Sequence, residues 1–355
     1  MRRRSTFTGT ASPVDYDARV LTVFIKFGDG RISTETSSAN LAAALRDPQA
    51  VMWVDIFKPE DEEYALLDDV FGFHPLAIED SINRAQRPKI ESYNHVGDAC
   101  KQGYFYMVIH GVERQETHGR RLVTLELDMF VSERYLLTIH DETMPSLQKL
   151  LQRAKTDPKL MLEQGIDILL YQVLDRLVDG YQPILDDMQD ALDDLEEEAV
   201  SDPTPELLPR ISQKKRELLN LRRVIGPQRD VLAQLTRGEV PFIRESTRIY
   251  LRDVLDHLIR AVETIELYRD LVLGARDIYM SSISNNLNKI MKTLTIITVI
   301  ALPMTVITSF FGMNFVDAPG WNWMLHNPVG FWIAMGFILV LIVVLLWVFR
   351  RLRWL

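Results

Sequence analysis

Gly312-Met313-Asn314 is a short polar tripeptide closing an apolar run, in the context Ser309-Phe310-Phe311-Gly312-Met313-Asn314-Phe315. A bilayer-length apolar run precedes it, and a second follows after a short loop. A polar knot between two spans is where an ion-conducting protein places an entrance filter. A second pattern lies just upstream. Ser284, Asn288, Met291, Thr295, Thr298, Leu302, Thr305 and Ser309 recur at alternating intervals of 4 and 3. That is the seam rhythm of packed helices. The seam mixes hydroxyls and amides with Met and Leu, where a dry core would be uniformly apolar. Two readings fit this spacing. Several copies around an axis would line a pore, with polar rungs at Asn288, Thr305 and Asn314 and apolar collars at Met291, Leu294 and Leu302, which could gate by dewetting. Alternatively, the stripe is a small-polar helix interface.

The elements that must carry these residues are legible at coarse scale. The first apolar run covers about 290–311 and includes several threonines, Lys292 and Pro303. Such polar content suits a helix that lines something wet. The second run, about 329–349, is free of charge and reads as lipid-facing. Each is long enough for a hydrocarbon core of ~30 Å. The loop 312–328 has no Lys or Arg, whereas Arg350-Arg351-Leu352-Arg353 follows the second span. This asymmetry predicts both termini in the cytoplasm and the loop outside. Trp321, Trp323, Trp347 and Trp354 fit interfacial anchors. Between Pro241 and Pro303 there is no proline, so one helix running from about 243 to 311 is expected. At 1.5 Å per residue it would extend ~100 Å, a stalk entering the bilayer that needs partners along its length.

Upstream, 20–26, 52–56, 104–109, 122–127 and 135–139 are β-rich, and helical stretches lie near 38–46, 60–71 and 75–81. This predicts an α/β domain over 1–145. A helical domain and stalk follow over 146–289, then a membrane domain over 290–355. From Asp179 to Glu198 the chain is strongly acidic, and a basic stretch with Lys214, Lys215, Arg216, Arg222 and Arg223 comes after the turn at 201–205. Ser201 or Thr204 is expected to cap the second helix. The two helices could form a salt-bridged hairpin, or the acidic face could concentrate cations.

Composition narrows the function classes. The net charge of −9 over 355 residues argues against nucleic acid as a partner. A single Cys100 excludes an intrachain disulfide and a zinc–thiolate cluster. The basic N-terminus has no apolar stretch behind it and is not a secretory signal, so the N-terminal part is expected in the cytosol. Neither a Walker A loop nor GxGxxG occurs, so no organic cofactor is expected, and no nucleophile–base set points to an enzyme.

Asp277-Ile278-Tyr279-Met280-Ser281-Ser282, Ser284-Asn285 and Met291-Lys292-Thr293-Leu294-Thr295-Ile296-Ile297, ending in Gly312-Met313-Asn314-Phe315, closely resemble the CorA family of magnesium and cobalt transport proteins. His74-Pro75-Leu76, Glu79-Asp80, Gln86-Arg87-Pro88-Lys89 and Tyr250-Leu251-Arg252-Asp253-Val254 with Asp256-His257 extend the likeness upstream. It covers nearly the whole chain from about residue 20. The resemblance implies an α+β membrane protein: a homopentameric funnel with a cytosolic α/β domain, a long helical stalk and two C-terminal transmembrane helices in the inner membrane. It implies Mg2+ as both transported and regulatory ion, with Co2+ or Ni2+ as passengers. Gly312, Met313 and Asn314 would form the filter, and Asp277, Asn288, Met291, Leu294, Leu302 and Thr305 would line the pore. Asp80 and Asp253 would bind regulatory Mg2+ between copies, with Glu79, Asp175 and His257 near a second ion. The loop departs from the pattern: Phe315-Val316-Asp317 stands where members carry a Met-Pro-Glu-Leu-like stretch, and 95–103 looks like an insertion. Two rivals remain open, a proton-coupled Zn2+ transporter of the ZntB branch and a non-conducting membrane-anchored scaffold or sensor.

Overall fold

The structure is a computed structural model that describes residues 20–93, 103–115, 121–312, 328–352 and 354. Its N-terminal part is a seven-stranded sheet in the order β2-β1-β3-β7-β6-β5-β4. The strands are β1 (Val20–Lys26), β2 (Ile32–Ser33), β3 (Val51–Phe57), β4 (Lys89–Tyr93), β5 (Tyr104–Gln115), β6 (Arg121–Val131) and β7 (Tyr135–His140). All neighbours run antiparallel except β3 and β7, which are parallel. Every residue of β7 is buried, so the centre of the sheet is covered on both faces. Several buried polar atoms on those central strands pair with one another. Trp53 Nε1 donates to Thr138 Oγ1 at 3.1 Å, and Thr138 donates to Asp55 at 2.5 Å.

Three short helices sit among the strands: α1 (Ser38–Arg46), α2 (Asp61–Asp69) and α3 (Pro75–Ile82). Pro75 starts α3 where a missing N–H costs nothing, and His74 Nδ1 accepts from the Leu76 N–H at 3.2 Å to cap it. Phe71, Phe73, Tyr104, Phe130 and Tyr135 pack beneath this segment as one aromatic cluster. The loop after α3 is pinned by Arg84, whose guanidinium holds the wholly buried Asp128 and, at 2.9 Å, Asp141. Tyr106 also donates to Asp128, at 2.8 Å.

Helices then take over: α4 (Pro145–Thr156), α5 (Pro158–Glu163), α6 (Ile166–Asp179), α7 (Tyr181–Ser201), α8 (Leu207–Arg237), α9 (Glu245–Phe311) and, last, α10 (Pro328–Arg351). Two compact units result, one of 1–195 with 209–274, the other of 196–208 with 275–355. The predicted long helix is present. α9 is continuous for 67 residues and passes through Pro303. Both α9 and α10 contain a stretch long and apolar enough to cross a membrane. The capping expectation at Ser201 fails. Ser201 ends α7, where its hydroxyl donates back to Glu197 O at 2.9 Å. Of the basic residues on α8, Arg222 pairs with Glu266 of α9 at 2.7 Å and Lys214 with Glu217 of its own helix at 2.9 Å.

Candidate functional site

α6 and α9 lie side by side and run in the same direction. At their starts, Asp167 accepts from Arg244 Nε at 2.8 Å and from Thr247 Oγ1 at 2.6 Å. Burial opposes ionisation of Asp167, but the hydrogen bonds from Arg244 and Thr247 outweigh it and hold the carboxyl below its usual range. One turn on, the rings of Tyr171 and Tyr250 meet at 5.3 Å. Further along, Asp175 and Asp179 of α6 come level with Asp253 and His257 of α9. Asp179 lies 3.7 Å from His257 Nδ1, and Asp253 lies 3.9 Å from Nε2. Partial burial and then the neighbouring Asp179 charge raise the pKa of Asp175, with Asp253 adding to the effect. Tyr171 is raised by burial and by the same three carboxylates. Arg176 and His257 offset this only in part, and carboxylates crowded in this way favour an added cation.

Of the five predicted regulatory residues, the structure therefore brings Asp175, Asp253 and His257 together. Asp179, which sequence reasoning passed over, joins them. Its signal was available: it stands four residues after Asp175, one helical turn on the same face. Glu79 and Asp80 are on α3, outside this cluster. Asp80 is engaged by Lys89 at 2.5 Å, not by an arginine such as Arg252, and Lys89 also bonds Glu91 at 3.0 Å. Among the described residues, no group of three or more His, Cys, Asp or Glu side chains is set to hold a metal within one chain.

Along α9, Asp277, Asn288, Met291, Leu294, Leu302 and Thr305 are all exposed in the single chain. At 3.6 residues per turn they fall within an arc of roughly 120° on one face of α9. The threonines satisfy themselves. Thr295, Thr298, Thr305 and Thr308 each donate to the carbonyl four residues back, at 2.8–2.9 Å. Back-bonding of this kind supplies hydroxyl partners inside a bilayer, so the hydroxyls alone do not require a wet wall. Gly312 closes α9 with its N–H on Thr308 O at 3.0 Å and Ser309 O at 3.2 Å. Its φ is not in the left-handed region, so the turn does not demand glycine on that ground. A Cβ there would instead press on Thr308 O at 3.3 Å. Met313 and Asn314 lie outside the described residues, as does Asp317.

The family model described as CorA-like Mg2+ transporter protein matches residues 48–351. The chain belongs to this CorA-like family. The cobalt/magnesium transport protein CorA of Thermotoga maritima is 33% identical over 325 residues, covering 90% of this chain and 88% of the relative. The complete structure of the CorA magnesium transporter from Methanocaldococcus jannaschii matches with a TM-score of 0.74 at 24% identity, covering 95% of this chain and 99% of that one. The cytoplasmic domain of ZntB from Vibrio parahaemolyticus shares the cytosolic fold at a TM-score of 0.59, with 17% identity over 75% of this chain. The CorA-like fold thus spans both the α/β sheet and the two apolar helices.

Proposed function

We propose that this chain is the subunit of a divalent-cation channel that admits Mg2+, with Co2+ or Ni2+ as secondary ions, and that cytosolic Mg2+ closes it. The supporting observation is α9. One unbroken helix carries Asp253 and His257 near its start, the exposed stripe from Asn288 to Thr305 in its apolar stretch, and the Gly312 turn just past its end. In this reading 1–145 and 146–289 are the cytosolic sensing and stalk regions and 290–355 the membrane region. Both termini are cytoplasmic, and five copies surround the pore.

In this reading the exposed stripes of neighbouring copies face one another around the pore axis. Gly312, Met313 and Asn314 form the outer filter. Mg2+ gives up water reluctantly, so a ring of Asn314 amide oxygens holds the hydrated ion without stripping it. Below the filter lie Thr305, Leu302, Leu294, Met291, Asn288 and Asp277. The hard oxygen donors Asp175, Asp253 and Asp80 suit Mg2+. Because no cage is gathered among the described residues of one chain, Asp80 of one copy would complete the site beside Asp253 of the next, with Glu79 and His257 close by. Bound Mg2+ then offsets carboxylate repulsion and holds the ring closed.

Ion flux into liposomes containing the purified full chain tests this reading. Voltage-driven Mg2+ uptake indifferent to a proton gradient is the expected result. Zn2+ uptake that requires the gradient would move the chain to the ZntB mode of transport. No flux of either ion would leave a scaffold.

A further inference from the structure

A cavity of about 620 Å3 opens in the unit of 1–195 and 209–274, between the α3–β4 loop, the β5–β6 ribbon and α8. It is separate from the α6–α9 carboxylates and from the α9 stripe. His110, which lines it, belongs to an incomplete polar pair. His110 on β5, only 6% exposed, faces its cross-strand partner Glu126, with Nε2 3.6 Å from Oε2. Glu126 Oε2 accepts from the Gln86 N–H at 2.9 Å, but Glu126 Oε1 and His110 Nδ1 are buried with no hydrogen-bond partner. Orphaned buried polar atoms are uncommon and costly, and one reason a fold retains them is a ligand.

The backbone beneath is held firmly. The His110 N–H donates to Gln228 Oε1 at 3.2 Å, the Tyr181 hydroxyl donates to His110 O, and Gln228 Nε2 donates to the Tyr181 oxygen at 2.6 Å. On the loop side, Ala85 takes a positive φ of 73°, a strained conformation for a residue with a Cβ, and it presents Gln86 and Arg87 to the cavity. Arg87 from the loop and Arg223 from α8 both line the opening. Among the described residues neither guanidinium is paired with a carboxylate in this chain.

Two unpaired guanidiniums at a mouth favour phosphate, whose oxygens match their planar fork. The volume is far larger than one phosphate needs and falls in the range of small-molecule sites. Asn220, Thr124 and Gln86 add neutral hydrogen-bonding groups to the lining. A metal ion fits less well, since the lining offers one histidine and one carboxylate, His110 and Glu142, beside two guanidiniums. We propose that this cavity binds a phosphate-bearing organic molecule of nucleotide size, with its phosphate on Arg87 and Arg223 and its polar organic end on His110 and Gln86. The recognition is by side chains, which is why no glycine-rich phosphate loop is needed.

Titration calorimetry on the full chain in detergent, with EDTA present, tests this directly using AMP, ATP and orthophosphate as separate probes. At least one nucleotide should bind, and more tightly than orthophosphate. Arg223→Gln and Arg87→Gln, both at exposed positions, should each weaken that binding at least about tenfold. Thr124→Trp, which fills the cavity from the strand face that also carries His110, should abolish it while the unfolding temperature stays within a few degrees. Absence of heat from both nucleotides would overturn the assignment. So would orthophosphate binding as tightly as the nucleotides, or nucleotide binding that ignores both arginine substitutions.

Discussion

Lys89 holds Asp80 before any ion does. The 2.5 Å contact, reinforced by the Lys89–Glu91 bond, makes the ammonium an internal competitor for a cation at that carboxylate. Removing it should sharpen the Mg2+ response. In Lys89→Met, the Mg2+ concentration giving half-maximal protection from proteolysis should fall about threefold to tenfold, in line with the loss of one partly buried ion pair. An unmoved midpoint would take Asp80 out of the sensor. Asn314 allows a simpler test. Asn314→Ala should abolish Mg2+ uptake while native mass and detergent behaviour stay as in the parent, and normal flux would refute the filter role. At this scale the sequence was informative about residue identity and poor about pairing. Asp175, Asp253 and His257 were foreseeable and do come together, because α6 and α9 align in register from Asp167 and Thr247 onward. The Asp80–Lys89 contact was not, since it closes across an irregular loop for which no periodicity applies.

Among the elements, α9 was the most legible, because a proline-free stretch of that length leaves few alternatives to helix. β4 was the least. Lys-Ile-Glu-Ser-Tyr has one apolar residue flanked by charges, and it becomes a strand only by pairing with β5 at the sheet edge. Edge strands favour such charged residues, which blunt their unpaired side. β2, of two residues, is too short to leave any pattern. The continuity of α9 carries its own prediction. Proline at an exposed position between Asp277 and the apolar stretch should kink the helix at a cost of ~3 kcal/mol. Ser281→Pro should therefore retain Mg2+ flux in liposomes but lose its inhibition by Mg2+ on the cytosolic side, and Ser281→Ala should behave as the parent. Full inhibition in the proline variant would mean that the signal does not travel along this helix.

For the whole molecule, the charges buried in the sheet domain set a pH dependence. Burial pushes the Asp128 carboxyl up to about 7, even though Arg84 pulls the other way. The folded state therefore keeps a proton that the unfolded chain releases near pH 4, so stability declines as pH rises from about 4 to about 7. His140 acts in the same sense. Burial disfavours its charge, but Asp55 outweighs that and raises the pKa. Its contribution is present below the ordinary histidine pKa and is lost as pH rises through the folded value. Calorimetric unfolding of the sheet domain should thus shift to lower temperature between pH 6 and pH 8. Asp128→Asn should flatten that slope, and an unchanged slope would exclude Asp128 as its source.

The self-bonded threonines of α9 have one more consequence. With each hydroxyl turned back onto the carbonyl four residues before it, the group left to face outward is the methyl, so a helix face written in threonine is chemically close to one written in valine. Rotation of a few side chains about χ1 would exchange oil for water along that face while the backbone stayed still. Thr305→Val should accordingly leave unfolding temperature and resting tightness unchanged. If rotation of that hydroxyl is what wets the passage, the same variant should open less often, which single-channel recording would register directly.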